Sequence, residues 1–194
     1  MGNNVSNFPQ KLEDTPDEQL KQGINQQGKL NYFHLHWPRG EEFFVKGPKI
    51  LSVRKCTSPT FAYTENEAYV MMSFNIIRSS RVNLKYLTGL LNSTLIKYWL
   101  KYKGKMQGSN FQIDKEPLLN IPIFKPDEAE QERVANLVDS VIKLYGEYRN
   151  TSANIDKWHL LKAEIEKLEN EIDQEVYKLY SLTLEEIKVI EKSI

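Results

Sequence analysis

From Trp158 to Leu179 the apolar residues Trp158, Leu161, Ile165, Leu168, Ile172, Val176 and Leu179 fall three or four positions apart. Only an α-helix gathers that spacing onto one stripe, and the charged residues between them make the stripe a coiled-coil-like seam. A second stripe, carrying Val134, Leu137, Val138, Val141, Ile142, Tyr145 and Tyr148, follows Pro126-Asp127, and Asn150-Thr151-Ser152 makes the turn between the two. Each helix reaches roughly 30–40 Å at about 1.5 Å per residue. So short a link predicts an antiparallel hairpin. Leu182-Thr183-Leu184-Glu185-Glu186 then starts a last short helix, with Thr183 as cap and Glu186 at the capping-box position.

Residues 31–126 have a different texture: short aromatic and β-branched runs broken by turn residues. Lys49–Arg54 reads as a strand entered through Gly47-Pro48, Thr60–Tyr63 and Tyr69–Met72 as two more, and Ser73–Arg78 as an extension of the sheet. Asn83 is placed to cap a helix whose buried face holds Leu84, Leu87, Leu90, Leu91, Leu95 and Trp99. Gly104 and Gly108 end that helix and open a loop. Phe111–Ile113 and Leu118–Phe124 return as extended segments, with Pro122 and Pro126 marking an edge strand. Residues 1–30, rich in Asn, Gln, Asp and Gly, read as a polar linker or the tail of an upstream domain. The expected fold class is α+β. A small mixed-sheet domain over 31–126 leads into a long antiparallel helical hairpin with a short C-terminal helix over 127–194.

The net charge of zero conceals an asymmetry. Residues 31–126 carry 14 basic and 6 acidic side chains, a net of +8, whereas residues 127–194 carry 9 and 16, a net of −7. One part suits a polyanion and the other would be repelled by it. A single cysteine excludes a disulfide framework and suits a reducing compartment. No apolar run approaches the ~18 residues of a membrane span. A soluble cytoplasmic chain is expected.

Catalytic groups are sparse. His34 and His36 bind a metal only with further ligands, and Cys56 has no cysteine partner. Cys56 follows Arg54-Lys55, which would activate an exposed thiol; a small residue at a strand end is the plainer reading. Lys103–Gly108 lacks the Walker spacing, and there is no Gly-x-Ser-x-Gly elbow. Glu164, Glu166, Glu169 and Glu171 read as solvated helix faces. No catalytic residue and no metal site is expected, and the chain alone is not expected to be an enzyme.

Binding fits the basic stretches better. Lys97-Tyr98-Trp99-Leu100-Lys101-Tyr102-Lys103-Gly104-Lys105 interleaves cations with aromatics, and Gln107, Ser109, Asn110 and Gln112 follow. Lys and Arg supply phosphate contacts, and Arg, Asn and Gln pair with base edges. Arg54-Lys55 and Arg78-Ser79-Ser80-Arg81 form two further basic turns. The candidate DNA-binding residues are Arg54, Lys55, Arg78, Arg81, Lys103, Lys105, Gln107 and Asn110, expected to converge on one groove-facing surface.

Gly47–Arg54, Pro59–Tyr63, Leu84–Ser93 with its Leu-Leu-Asn-Ser, Gln112–Lys115 and the Leu-Leu-Asn-Ile-Pro-Ile run at 118–123 resemble, in that order, the TaqI-like C-terminal specificity domain. So do Glu128-Ala129-Glu130-Gln131 before a long helix and the ending Leu168–Tyr180 with Leu182-Thr183 and Glu185-Glu186-Ile187, so that the likeness spans roughly 31–192. That domain is the target recognition module of type IIG restriction-modification enzymes and adenine-N6 DNA methyltransferases, and is similar to type I specificity subunits. The resemblance implies sequence-specific recognition of double-stranded DNA beside an upstream or separate methyltransferase or nuclease domain. The Asn-Pro-Pro-Tyr type motif of the full enzymes is not in this chain. S-adenosylmethionine and Mg are therefore expected only in catalytic domains elsewhere, with no cofactor here. Two rival readings stand beside this one: a helical-hairpin assembly module that dimerises without reading DNA, and a hydrolase using His34 or His36 with a carboxylate.

Overall fold

The computed structural model describes residues 44–153 and 155–194; His34, His36 and the linker expected at 1–30 lie outside the described residues. Among the described residues six strands and six helices follow one another in an α+β arrangement. β1 (Lys49–Val53), β3 (Phe61–Thr64) and β4 (Phe74–Ile77) form one sheet in the order β3-β1-β4. β2 (Lys55–Cys56), β5 (Lys105–Gln107) and β6 (Asn110–Gln112) form another in the order β2-β6-β5. Every pairing given is antiparallel, so two small antiparallel sheets stand in place of the single mixed sheet expected.

β1 is the central strand, and its two edges decide what pairs with it. Thr64 to Phe61 lie opposite Lys49 to Ser52 on one side, and Ile77 to Phe74 lie opposite Ile50 to Val53 on the other. Tyr69–Met72, expected as a strand, joins neither edge of β1, which β3 and β4 already occupy. It forms an exposed loop instead, closed by a turn in which Phe74 N donates to Met71 O at 3.0 Å. Gly47, at φ +129°, makes the turn into β1, a conformation an L side chain rarely adopts. Lys49 is only 1% exposed: its Nζ donates to Val45 O at 2.8 Å and Gly47 O at 3.1 Å, stitching the same turn.

The helix expected from Asn83 to Trp99 is two. Asn83 caps α1 (Leu84–Asn92), its Oδ1 accepting from Lys85 N and Tyr86 N. Ser93 then turns extended, at φ −63° and ψ 152°, and caps α2 (Thr94–Lys103) by accepting from Ile96 N. Asn92 leaves the helix register to bond a strand: Oδ1 accepts from Phe61 N at 3.0 Å, and Nδ2 donates to Phe61 O at 2.7 Å. The Asn-Ser pair is thus a structural joint between α1 and β3.

Gly108, at φ +61°, and Ser109 close a tight hairpin between β5 and β6 where a loop was expected. Leu118–Phe124 is not a strand either. Lys115–Leu119 coils into the short helix α3, whose first turn tolerates Pro117. The Ile-Pro-Ile-Phe stretch after it is held by tyrosine hydroxyls: Tyr86 Oη donates to Phe124 O at 2.7 Å, and Tyr180 Oη accepts from Phe124 N at 3.0 Å while donating to Pro122 O at 2.5 Å. Pro122 and Pro126 mark no edge strand.

α4 (Glu128–Asn150) and α5 (Asp156–Leu179) form the long hairpin, capped at its start by Asp127, whose carboxylate accepts from Glu130 N. α6 (Leu184–Lys192) opens on the full capping box of Thr183 and Glu186. The hairpin's base is not peripheral. Val134, Val138, Ile172 and Val176 are buried in the same cluster as Ile50 and Phe61 of the sheet and Leu90 of α1. Among the described residues no helix is long and apolar enough to cross a membrane.

Candidate nucleic-acid interface

Backbone pleat makes the second sheet two-sided. Lys55, Gln112 and Lys105 lie opposite one another across β2, β6 and β5, as do Cys56, Phe111 and Met106 one residue along. Partners in register share a face, and successive residues alternate. One face therefore holds Cys56, Met106 and Phe111, with Phe111 buried in the core. The other holds Lys55, Lys105, Gln107, Asn110 and Gln112. Lys55, Lys105 and Gln107 are exposed, and Asn110 and Gln112 are half-buried. Two cations and three amides are thus held on one small rigid sheet. Lys103 stands exposed at the C-terminus of α2, two residues before Lys105.

Arg54 joins the two sheets. Its N donates to Ser73 O at 2.8 Å, and its O accepts from Ile113 N at 2.6 Å. Its guanidinium turns to Asp114: Nε and Nη2 donate to Oδ1 at 3.1 and 2.5 Å, while Nη1 donates to Met72 O at 3.3 Å. Asp114 Oδ2 accepts from Gln112 Nε2 at 2.7 Å. The guanidinium beside it holds the Asp114 carboxyl below its ordinary range, with the Gln112 amide and the Lys105 charge adding to the effect. Arg54 is therefore a clamp at the border of the polar face, with three of its donors already engaged.

Arg78 and Arg81 lie elsewhere. Ile77 pairs with Ile50 near the start of β1, and a Cβ at Gly47 would meet Arg78 Nη2 at 3.6 Å. Arg54 follows the opposite end of β1, roughly 15 Å away at about 3.3 Å per residue. Six of the eight candidates thus sit on or beside one sheet, whereas Arg78 follows the far end of the neighbouring one and Arg81 lies three residues further along, in the loop before α1. The Lys-Tyr interleaving of α2 serves packing in part. Leu100 belongs to the core and half-buried Trp99 packs against it, Tyr98 and Tyr102 rings lie 4.7 Å apart, and Lys101 Nζ donates to Ser193 O at 2.6 Å.

Gln112 and Asp114 were not among the candidates. Their sequence signal is a Gly-Ser turn flanked by polar residues at alternate positions, Gln107, Asn110 and Gln112, the pattern of a two-residue hairpin with one polar face. Cys56 sits on the inner face, where burial pushes its thiol up, away from activation. Among the described residues no three His, Cys, Asp or Glu side chains group as metal ligands. On the hairpin, Glu164 and Glu171 pair with Lys167, and Glu166 with Lys162. Glu169 instead accepts from Tyr145 Oη at 3.0 Å, and burial raises its carboxyl.

The chain is 26% identical over 148 residues to the type II methyltransferase M.HincII of Haemophilus influenzae, covering 72% of this chain and 29% of that protein. It is 28% identical over 86 residues to the type II methyltransferase M.HindII of Haemophilus influenzae strain Rd, covering 44% of this chain and 16% of that protein. The chain thus spans less than a third of the length of these relatives. The model of the TaqI-like C-terminal specificity domain matches residues 1–123, a stretch that starts within the expected linker and takes in both sheets, and the chain belongs to that family.

Proposed function

We propose that this chain is the DNA target recognition module of a restriction-modification enzyme or adenine-specific DNA methyltransferase, and is not itself catalytic. The observation that carries the reading is the outer face of the β2-β6-β5 sheet, which presents Lys55, Lys105, Gln107, Asn110 and Gln112 in register. Within that sheet β5 and β6 form a two-stranded ribbon of the kind the major groove admits, lysines contact phosphates, and amides pair with base edges. On this reading methyl transfer or strand cleavage, with S-adenosylmethionine or Mg, resides in a catalytic partner domain, and the working compartment is the cytoplasm. Arg78 and Arg81 would contact only a duplex long enough to pass both sheets.

Fluorescence polarisation on duplex DNA at several salt concentrations tests it. Lys103→Ala with Lys105→Ala should weaken binding to every sequence and reduce the salt slope by about 2. Gln107→Ala or Asn110→Ala should instead alter which sequence is preferred. Absence of duplex binding at low salt, with the partner domain supplied, overturns the reading.

A second reading, assembly through the helical hairpin, is favoured by one observation. The end of the hairpin away from the core exposes Ile142, Tyr145, Ile155 and Leu160, the last at 70%. A mass in solution that rises with concentration and does not respond to DNA would select it.

A further inference from the structure

Asp114 occupies the N-cap position of α3, where a carboxylate ordinarily accepts from the free amides of the first turn, yet it makes no such bond. Both of its oxygens are turned to side chains instead, Oδ1 to Arg54 and Oδ2 to Gln112. Arg54 is itself tied to Met72 O and lies 60 residues from Asp114 in sequence. This small polar relay, anchored to backbone at its far end, terminates on Gln112, in the central strand of the polar face and between Lys55 and Lys105.

An ionised carboxylate has no proton to give, so the end of the Gln112 amide that faces Asp114 is the NH2 group. That settles the polarity of the amide. One N–H is committed to Asp114; the carbonyl Oε1 and the second N–H remain for a ligand. A free glutamine offers a base either end. This one offers one acceptor beside one donor, in fixed order.

We propose that Gln112 is a specificity-determining residue that reads an adenine in the major groove, with Asp114 and Arg54 as positioning residues that set its amide. The proposal rests on the outer face of the β2-β6-β5 sheet being the DNA-binding face. Adenine presents an N6 donor beside an N7 acceptor, the complement of what Gln112 has left. Guanine presents two acceptors, and its O6 would oppose Oε1. Cytosine gives a donor alone, and thymine an acceptor beside a methyl group. Lys55 and Lys105, on either side of Gln112, are placed to neutralise the phosphates that flank such a base.

The test uses the full chain, a randomised duplex library to define the preferred site, and polarisation on duplexes that differ at one base pair. The wild type should select adenine in at least one position. Gln112→Ala should collapse the affinity ratio between adenine and guanine at that position by roughly ten- to a hundredfold. Gln112→Met, which keeps the side-chain length without the polar end, should do the same if alanine perturbs the strand. Substituting 7-deazaadenine there should cost the wild type a similar factor and the Gln112→Met variant little. Asp114→Asn can donate to Oε1 and release the amide, so its preference should broaden from adenine to either purine. An adenine preference that survives Gln112→Ala and Gln112→Met overturns the proposal. So does a loss in all three variants that is equal for every duplex, which would mark a structural role. Failure of the wild type to bind any duplex would instead overturn the underlying reading of the face.

Discussion

Gly89 sits where α1 crosses the hairpin, and a Cβ built there would lie 2.9 Å from Val134 Cγ1 and from Val138 Cγ2. No side chain fits that gap unless Val134 and Val138 of α4 give way. Gly89→Ala should therefore lower stability by up to about 2 kcal/mol: overpacking costs about 1–3 kcal/mol, and the better helix propensity of alanine returns roughly 1. The shift of the urea midpoint measures it, and an unchanged or raised midpoint would show that α4 yields freely. At this scale the sequence is legible where a residue acts on its own neighbours. Asn83, Asp127 and Thr183 cap the helices their positions predict, because a cap bonds amides two or three residues on. It is illegible where the partner is remote. Asp114 lies between two segments that the sequence presents as extended, and nothing local says that its oxygens go to Arg54, 60 residues back. Asn92 likewise spends its amide on Phe61, 31 residues away.

Elements follow the same division. The seam from Trp158 to Leu179 is half-buried or buried at every position, since helical periodicity is a local property that packing then uses. Strands are different, because a strand exists only if an edge is free. Tyr69–Met72 has the composition of a strand yet joins neither of the two sheets, and Phe111 and Met106 pair only because Gly108 turns the chain back. Joints between elements were equally hidden. The start of α2 is held from α5 by Asp173, whose Oδ1 accepts from Thr94 N at 2.8 Å and whose Oδ2 accepts from Thr94 Oγ1 at 2.5 Å. Burial raises the Asp173 carboxyl, and Glu191 adds to that, while the Thr94 bonds and Lys97 oppose it. The sign follows from linkage: a carboxyl that binds its proton more tightly in the folded state favours folding most at low pH, and this contribution is lost as pH rises through the folded value. Asp173→Asn keeps an oxygen for the Thr94 amide and carries no charge. Its stability relative to wild type should therefore improve as pH rises from 4 to 7, whereas Asp173→Ala should lose about 1 kcal/mol of capping at pH 7. Urea titrations at three pH values check both, and a pH-independent Asn difference would mean that Asp173 is solvated.

At the scale of the molecule, the charge asymmetry and the packing divide the chain differently. Composition changes sign near residue 126, with +8 over residues 31–126 and −7 over 127–194, and invites a cut between a recognition part and a spacer. The core ignores that cut. Val134, Val138, Ile172 and Val176 pack into the cluster that holds the sheet and α1, and Gln131 bridges the same joint, accepting from Asn83 N at 2.9 Å and donating to Pro126 O at 3.0 Å. Removing residues 127–194 would strip four buried aliphatic side chains from the core. At about 1.5–3 kcal/mol each, that is roughly 6–12 kcal/mol, comparable with the whole ~5–15 kcal/mol stability of an ordinary domain. A chain ending at residue 126 should therefore fail to unfold cooperatively by circular dichroism and should lose the amide protection of β1. Shortening the hairpin from its far end, by removing 142–163 and joining the helices with a short turn, should keep a cooperative transition, because those residues lie outside the shared core. If the shortened protein also retains duplex binding with its salt slope unchanged, the outer hairpin serves reach or partner contact and takes no part in the recognition face. A cooperative melt from the 126-residue chain would reverse the argument, making the hairpin an appendage whose base merely rests on a core complete without it.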